Sequence, residues 1–208
     1  ASNDSVVGAY RRALDGDPVS AYGAVLAFNR IVDAEAAEEL VLGAYEAVAA
    51  PGYAEEALRI LAGKPSLSLL AVPGTPPGGL SDYGIADLDF HRIEGGLLVE
   101  TLDRLEIDHA QLKVVTRRRP TLEELTDLLF GWRAVRHVRS NAVVLARHGA
   151  LVGLGAGQAS RLTAVEIAIH RAAERAHSAV LASDAYFPFA DAIQLAGERG
   201  VTAIIQPG

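Results

Sequence analysis

The 208-residue sequence contains no cysteine and no methionine. Without cysteine, disulfides, thiolate zinc sites and cysteine nucleophiles are excluded, and the redox compartment leaves no mark. No apolar run approaches the roughly 20 residues that a membrane helix needs; runs such as residues 21–28 stop far short. A basic segment leading into an apolar one is missing from the start, so the expectation is a soluble, cytoplasmic chain with no membrane partner. Lysine is scarce, with arginine making up 17 of the 19 basic residues. The net charge of −7 lacks the cationic excess on which broad phosphate-backbone binding rests, which argues against a nucleic-acid partner. The missing methionine leads to the expectation that the native start lies upstream. What is present is globular in composition: half the residues are hydrophobic, 22% are charged, and 20 Gly and nine Pro are scattered without period.

Strand and helix signals recur at the spacing of a layered α/β fold. Residues 6–14 form a short amphipathic segment, and 25–28 a buried strand. Asp33 is placed to cap a helix over 34–42. A strand follows near 47–50, a helix over 55–62 closed by Gly63, and a strand over 66–72. The Pro- and Gly-rich stretch 73–82 is a loop. Strands are expected around 97–99 and near 113–116. Thr121 then opens a strong helix, with Glu124 three residues on as a capping-box partner. Leu125, Leu128, Leu129, Trp132, Val135 and Val138 keep helical spacing, so one face of that helix is buried. Residues 141–146 and 151–154 form a hairpin around Arg147-His148-Gly149. A second long helix spans 160–176, followed by a strand at 179–182, a helix near 191–199 and a strand at 201–205. The domain division that follows is 1–116 as a first α/β lobe, 117–139 as a connecting helical region, and 140–208 as the start of a second lobe.

Three segments carry candidate chemistry. GLGAGQASR (153–161) follows a strand and opens a helix, so it is either a tight structural turn or a loop whose amides approach an anion. As a dinucleotide fingerprint it fails, because Gln158 stands where a third glycine belongs and no acidic residue ends the next strand. Arg161 in the first helical turn opposes the helix dipole and needs another reason to be there. SDAYFPFAD (183–191) places aromatics, a proline and two carboxylates between a strand end and a helix start. That is a position where α/β sheets bind ligands, and equally one where aromatics anchor a core. Ser140-Asn141 is either a turn or a donor-and-acceptor pair for an amide-bearing ligand. The six histidines show no metal-ligand spacing and read as surface or satisfied residues. The run Arg117-Arg118-Arg119 reads as a solvated edge.

Together the segments DPVSAYGAVLAFNR (17–30), APGYAEEAL (50–58), GGLLVE (95–100), PTLEELTDLLFGWRAVRHVRSNAVV (120–144), GLGAGQASR (153–161), ASDAYFPFAD (182–191) and GVTAIIQPG (200–208) resemble, in order, the aminoimidazole carboxamide ribotide (AICAR) transformylase domain of bifunctional purine biosynthesis proteins. The resemblance implies two cytidine-deaminase-like lobes, each incomplete here, and active sites shared across a homodimer. It implies transfer of the formyl group of 10-formyltetrahydrofolate to the 5-amino group of AICAR, with a cyclohydrolase domain usually fused N-terminally. By that likeness Asn141 contacts the reacting groups, and Arg161 lies near nucleotide and folate. Tyr22, Gly23 and Glu46 border the ribotide. Tyr186 and Pro188 face the heterocycle, and Pro188, Phe189 and Asp191 the pterin, with Lys64 on the folate tail. Ser140 and Asp184 align near a monovalent-cation site, implying potassium. No zinc is implied, since the deaminase Cys and H-x-E signature is missing. The family's proton-shuttling Lys-His pair is expected upstream of Ala1, and its phosphate-holding Arg and His segment beyond Gly208. This segment alone is therefore expected to be inactive. The alternative is a non-catalytic relative that retains a nucleotide and folate pocket.

Overall fold

A computed structural model describes residues 1–72, 88–101, 107 and 111–208. The loop expected over 73–82 lies outside these residues. The chain is mixed α/β, with six α-helices and three sheets among the described residues.

The first unit begins with helix α1 (Val6–Gly16), whose Gly8 N–H donates to the capping Ser5 side chain. Strands β1 (Ala24–Ala27), β2 (Tyr45–Ala50) and β3 (Ser68–Ala71) form a parallel sheet in that order. Parallel neighbours need crossovers, and α2 (Ala34–Leu40) and α3 (Glu55–Leu61) supply them. Asp33 caps α2 as its sequence suggests, accepting the Ala36 N–H at 2.9 Å. Val32, Ala36, Leu40, Val48, Ala57 and Leu61 build the core with Val7 and Tyr10 of α1. Val25 and Leu70 are 69% and 58% exposed, so apolar surface of this sheet faces solvent.

Strand β4 (Leu88–Ile93) pairs with β5 (Gly96–Thr101) in an antiparallel hairpin. The sequence pattern points to β5 but misses β4, where charged residues interrupt the apolar ones. The strand expected near 113–116 does not form. Instead Arg118, just beyond it, donates to Thr202 O at 2.9 Å and binds Glu124, so side-chain bonds rather than a backbone ladder tie this segment to its neighbours.

The second unit is a three-layer sandwich. Its sheet runs β7 (Ala150–Gly155), β6 (Val143–Arg147), β8 (Val180–Ser183), β9 (Ala203–Ile205), with only β8 and β9 parallel. Side chains alternate between its faces. Val143, Leu145 and Leu181 join Val165, Ala168 and Ile169 of α5 (Arg161–Ala172) and Ala192 and Ala196 of α6 (Asp191–Glu198). Val144, Ala146, Val180 and Ala182 join Leu128 and Val135 of α4 (Leu122–Val135). Cover on both faces explains why β6 and β8 read as unbroken apolar runs.

The capping box at Thr121 and Glu124 forms in full. The helix expected over 160–176 is divided: α5 ends where Ala173 takes φ 51°, and 173–176 is a 3-10 turn. Gly153 and Gly155 belong to β7 rather than to a loop. A Cβ at Gly155 would lie 2.0 Å from Ala164 O and one at Gly153 2.2 Å from Ala168 O, so both allow α5 to approach the strand. No described helix is long and apolar enough to cross a membrane.

Candidate functional site

The ends of the second sheet bring together segments far apart in sequence. Antiparallel pairing sets Val143, near the start of β6, against Ser183, at the end of β8. The N-termini of α5 and α6 open beside them. The resulting cleft has a volume of about 530 Å³, within the range of small-molecule sites, and takes Asn141, Ser160, Arg161, Tyr186, Phe187, Pro188, Phe189 and Asp191 into its lining. Tyr186 and Phe189 are 62% and 73% exposed, so their rings are open to a ligand rather than buried in the core.

The floor of the cleft is a polar network. Arg161 Nη1 donates to Asp184 Oδ1 and, at 2.8 Å, to Ser183 Oγ. Its Nη2 donates to Asn141 Oδ1 at 2.8 Å. Asn141 Nδ2 donates to Gln158 O at 2.8 Å, and its second contact, with Ala159 O, is long at 3.4 Å. Asp184 Oδ1 also accepts the Ala142 N–H at 3.0 Å. The Ser140–Asn141 peptide bond is cis. Burial pushes the Asp184 carboxyl up, but hydrogen bonds from Ser140, Arg161 and the Ala142 amide outweigh it, and the group sits below the usual aspartate value. A cation at the start of α5 is thus explained by its partner: Asp184 neutralises Arg161, and only 10% and 15% of their side chains are exposed.

Chemically, the cleft offers aromatic walls, one oriented carboxamide and a neutralised ion pair. That combination suits a planar, amide-bearing heterocycle better than a bare phosphate, which calls for uncompensated positive charge. Asp191 stands at the rim, where its carboxylate accepts its neighbour's Ala192 N–H at 2.7 Å.

The other expected site residues gather elsewhere. Gly23 N–H donates to Ala44 O at 2.7 Å, which holds the turn carrying Tyr22, itself 84% exposed, next to the start of β2. Glu46 is exposed on β2. Lys64 Nζ binds the Gly43 carbonyl and lies 5.9 Å from the centre of the Tyr45 ring. Tyr22, Gly23, Glu46 and Lys64 therefore sit in the first unit and do not line the cleft. Ser140 contributes through Asp184. Sequence reasoning included Ser183 in a candidate segment but gave it no role; it is fully buried, accepts from Arg161 and donates to Ala185 O at 2.8 Å. A hydroxyl ending an otherwise apolar strand was the available signal.

Fold and cleft define a layered α/β domain with a site sized for a small molecule. The family model described as AICARFT/IMPCHase bienzyme matches residues 1–171. The bifunctional purine biosynthesis protein PurH of Sorangium cellulosum (strain So ce56) is 48% identical over 209 residues, covering 100% of this chain and 39% of that protein. Its namesake from Thermoanaerobacter sp. (strain X514) is 46% identical over 205 residues, covering 99% of this chain and 39% of its own length. The chain belongs to the AICARFT/IMPCHase bienzyme family and spans about two fifths of the length of these relatives.

Proposed function

We propose that this chain is part of the formyltransferase unit of a bifunctional purine-biosynthesis enzyme, cytoplasmic in location. It moves the formyl group of 10-formyltetrahydrofolate to the 5-amino group of AICAR on the route to inosinate. The observation that carries this reading is the convergence of Asn141, Arg161, Tyr186, Pro188, Phe189 and Asp191, drawn from three separate segments, on one cleft.

The acceptor amine is a weak nucleophile because its lone pair is delocalised into the imidazole ring, so positioning and proton removal supply much of the rate. As the formyl carbon becomes tetrahedral its oxygen gains charge and needs a fixed donor. Asn141 fits that role. One Nδ2 hydrogen and Oδ1 are held by Gln158 and Arg161, which fixes the amide plane, while the long contact to Ala159 O is one that a ligand oxygen can replace. A carboxamide stays neutral and cannot take the proton, a task this reading assigns to the family's Lys-His pair. The exposed rings of Tyr186 and Phe189, with Pro188 between them, wall the heterocycle and pterin. Potassium there would be held by the oxygen donors of Ser140 and Asp184, the ligand type a hard cation takes.

Two cytidine-deaminase-like lobes, divided at 1–116, 117–139 and 140–208, and a homodimer with shared sites complete the proposal. Solvent-facing Val25 and Leu70 support a partner surface on the first unit, and on this reading Tyr22, Gly23, Glu46 and Lys64, which do not line the chain's own cleft, serve a neighbouring protomer's site. The buried face of α4 is spent on the chain's own sheet and leaves other surfaces for that contact.

The test is formyl transfer from 10-formyltetrahydrofolate to AICAR in the full-length enzyme. Asn141→Ala is expected to lower kcat by about 10²–10³ with smaller changes in KM, as for loss of one preorganised donor. Asn141→Asp should be no better, because a carboxylate only accepts. Near-normal turnover in either variant would overturn the assignment.

A further inference from the structure

We propose that the β4–β5 hairpin carries a divalent transition-metal site of zinc type, formed by Asp89, His91 and Glu100. In the ladder Asp89 stands directly opposite Glu100 and His91 opposite Leu98. Asp89 and His91 are two residues apart, so alternation puts all three side chains on one face of the ribbon. Two carboxylates directly opposite one another destabilise a strand pair. The hairpin has little to offset this, since all six residues of β5 are exposed and an isolated two-stranded ribbon is marginal in water.

His91 Nε2 lies 3.1 Å from Asp89 Oδ2 and 3.3 Å from Glu100 Oε1. That nitrogen carries at most one proton, and a single N–H shared between two carboxylates is well aligned with at most one of them. A metal ion in place of the proton satisfies all three groups at once. The neutral imidazole gives its Nε2 lone pair, and each carboxylate gives one oxygen. The three donor atoms lie within 4.8 Å of one another. The 3.1 and 3.3 Å separations also match the edge of a tetrahedron, roughly 3.3 Å for metal–ligand bonds of roughly 2.0–2.1 Å. One imidazole with two carboxylates favours zinc-class ions over magnesium and calcium, which prefer all-oxygen shells. Water completes the shell on this exposed face. Linear spacing could not reveal the cluster, because Glu100 reaches His91 only through the hairpin. The site is separate from the cleft and from any deaminase-type catalytic zinc. Its role is to clamp the ribbon, since binding energy at a site made only by folding is folding energy.

The test is titration of zinc chloride into the chain in a non-coordinating buffer at neutral pH, by calorimetry and by competition with a chromogenic zinc indicator. One saturable site is expected. Asp89→Asn, His91→Ala and Glu100→Gln should each weaken it by about tenfold or more, whereas His170→Ala, at an exposed position on α5, leaves it unchanged. Zinc should also shift the His91 imidazole NMR signals in the native chain and not in Glu100→Gln, whose near-isosteric side chain preserves the ribbon. Absence of saturable binding, or binding that survives all three substitutions, would overturn the proposal and leave the cluster as an ion pair alone.

Discussion

Replacing Asp184 tests the network beneath the cleft directly. Its Oδ1 accepts from Arg161 and from the Ala142 amide, and the paired side chains are only 10% and 15% exposed. Breaking a buried ion pair by removing one partner costs about 3–5 kcal/mol, because the remaining charge is left uncompensated. Arg161 here keeps Ser183 Oγ and Asn141 Oδ1, both at 2.8 Å, and some solvent. Asp184→Ala is therefore expected to lower stability by about 2–4 kcal/mol. Asp184→Asn, which preserves shape and one acceptor oxygen, should cost about 1–2 kcal/mol. Urea unfolding followed by circular dichroism measures both, and pH provides an internal check. The folded carboxyl titrates below its ordinary value, so its contribution is present above the unfolded value of 3.8 and is lost as pH falls through the lower folded one. The gap between the native chain and Asp184→Asn should thus be full at neutral pH and close in acid below about pH 4. A gap under about 0.5 kcal/mol at neutral pH, or one that stays constant into acid, would refute the reasoning.

Gly155→Ala should destabilise by about 3 kcal/mol or more, because its Cβ would lie 2.0 Å from the Ala164 carbonyl oxygen. Gly157→Ala, at φ +64° with only the Arg139 side chain nearby, should cost about 1 kcal/mol, and equal thermal shifts for the two would contradict the close-approach role. Thr121→Ala should cost about 1 kcal/mol through loss of the α4 cap. The hydrogen bond from Arg118 is the main cause holding Glu124 down at about 2, so Glu124 stabilises the fold above its unfolded value of 4.5 and loses that contribution as pH falls toward 2. Glu124→Gln should flatten the acid limb of the stability profile. If the proposed formyltransferase reading holds, Phe189→Ala should weaken folate binding to the full-length enzyme by about 1–3 kcal/mol. Its ring is 73% exposed, so unfolding midpoints should barely move, and an equal loss of AICAR affinity would point to a displaced cleft instead.

Much of the fold was legible because it rests on short-range chemistry. Asp33 and Thr121 with Glu124 each satisfy amides within three residues, and these caps form where the side chains predict; Ser160, expected inside its helix, caps α5 by the same chemistry. The tight turn at His148 and Gly149, with φ 52° and 70°, likewise follows its local pattern. Failures came where a distant partner decided. Residues 113–116 have strand composition but no described ladder partner. Strand β4 has weak composition but a complete one in β5. The candidate site divides the same way: the segments around Asn141, Arg161 and Asp191 were visible individually, while the role of Ser183 was not, because it depends on a guanidinium 22 positions away.

By itself, then, the sequence determined the family likeness, the alternation of helices and strands and the three segments that carry polar chemistry, because capping, turn geometry and hydrophobic period act over a few residues. Only the tertiary structure decided that Arg161 is neutralised by Asp184, that Gly153 and Gly155 serve α5 rather than an anion, and that Tyr22, Gly23, Glu46 and Lys64 stand away from the cleft. Each of these depends on which strand edges and helix ends meet. That meeting is set by burying both faces of one sheet and by pairing charges across the fold, contacts whose partners lie tens of residues apart.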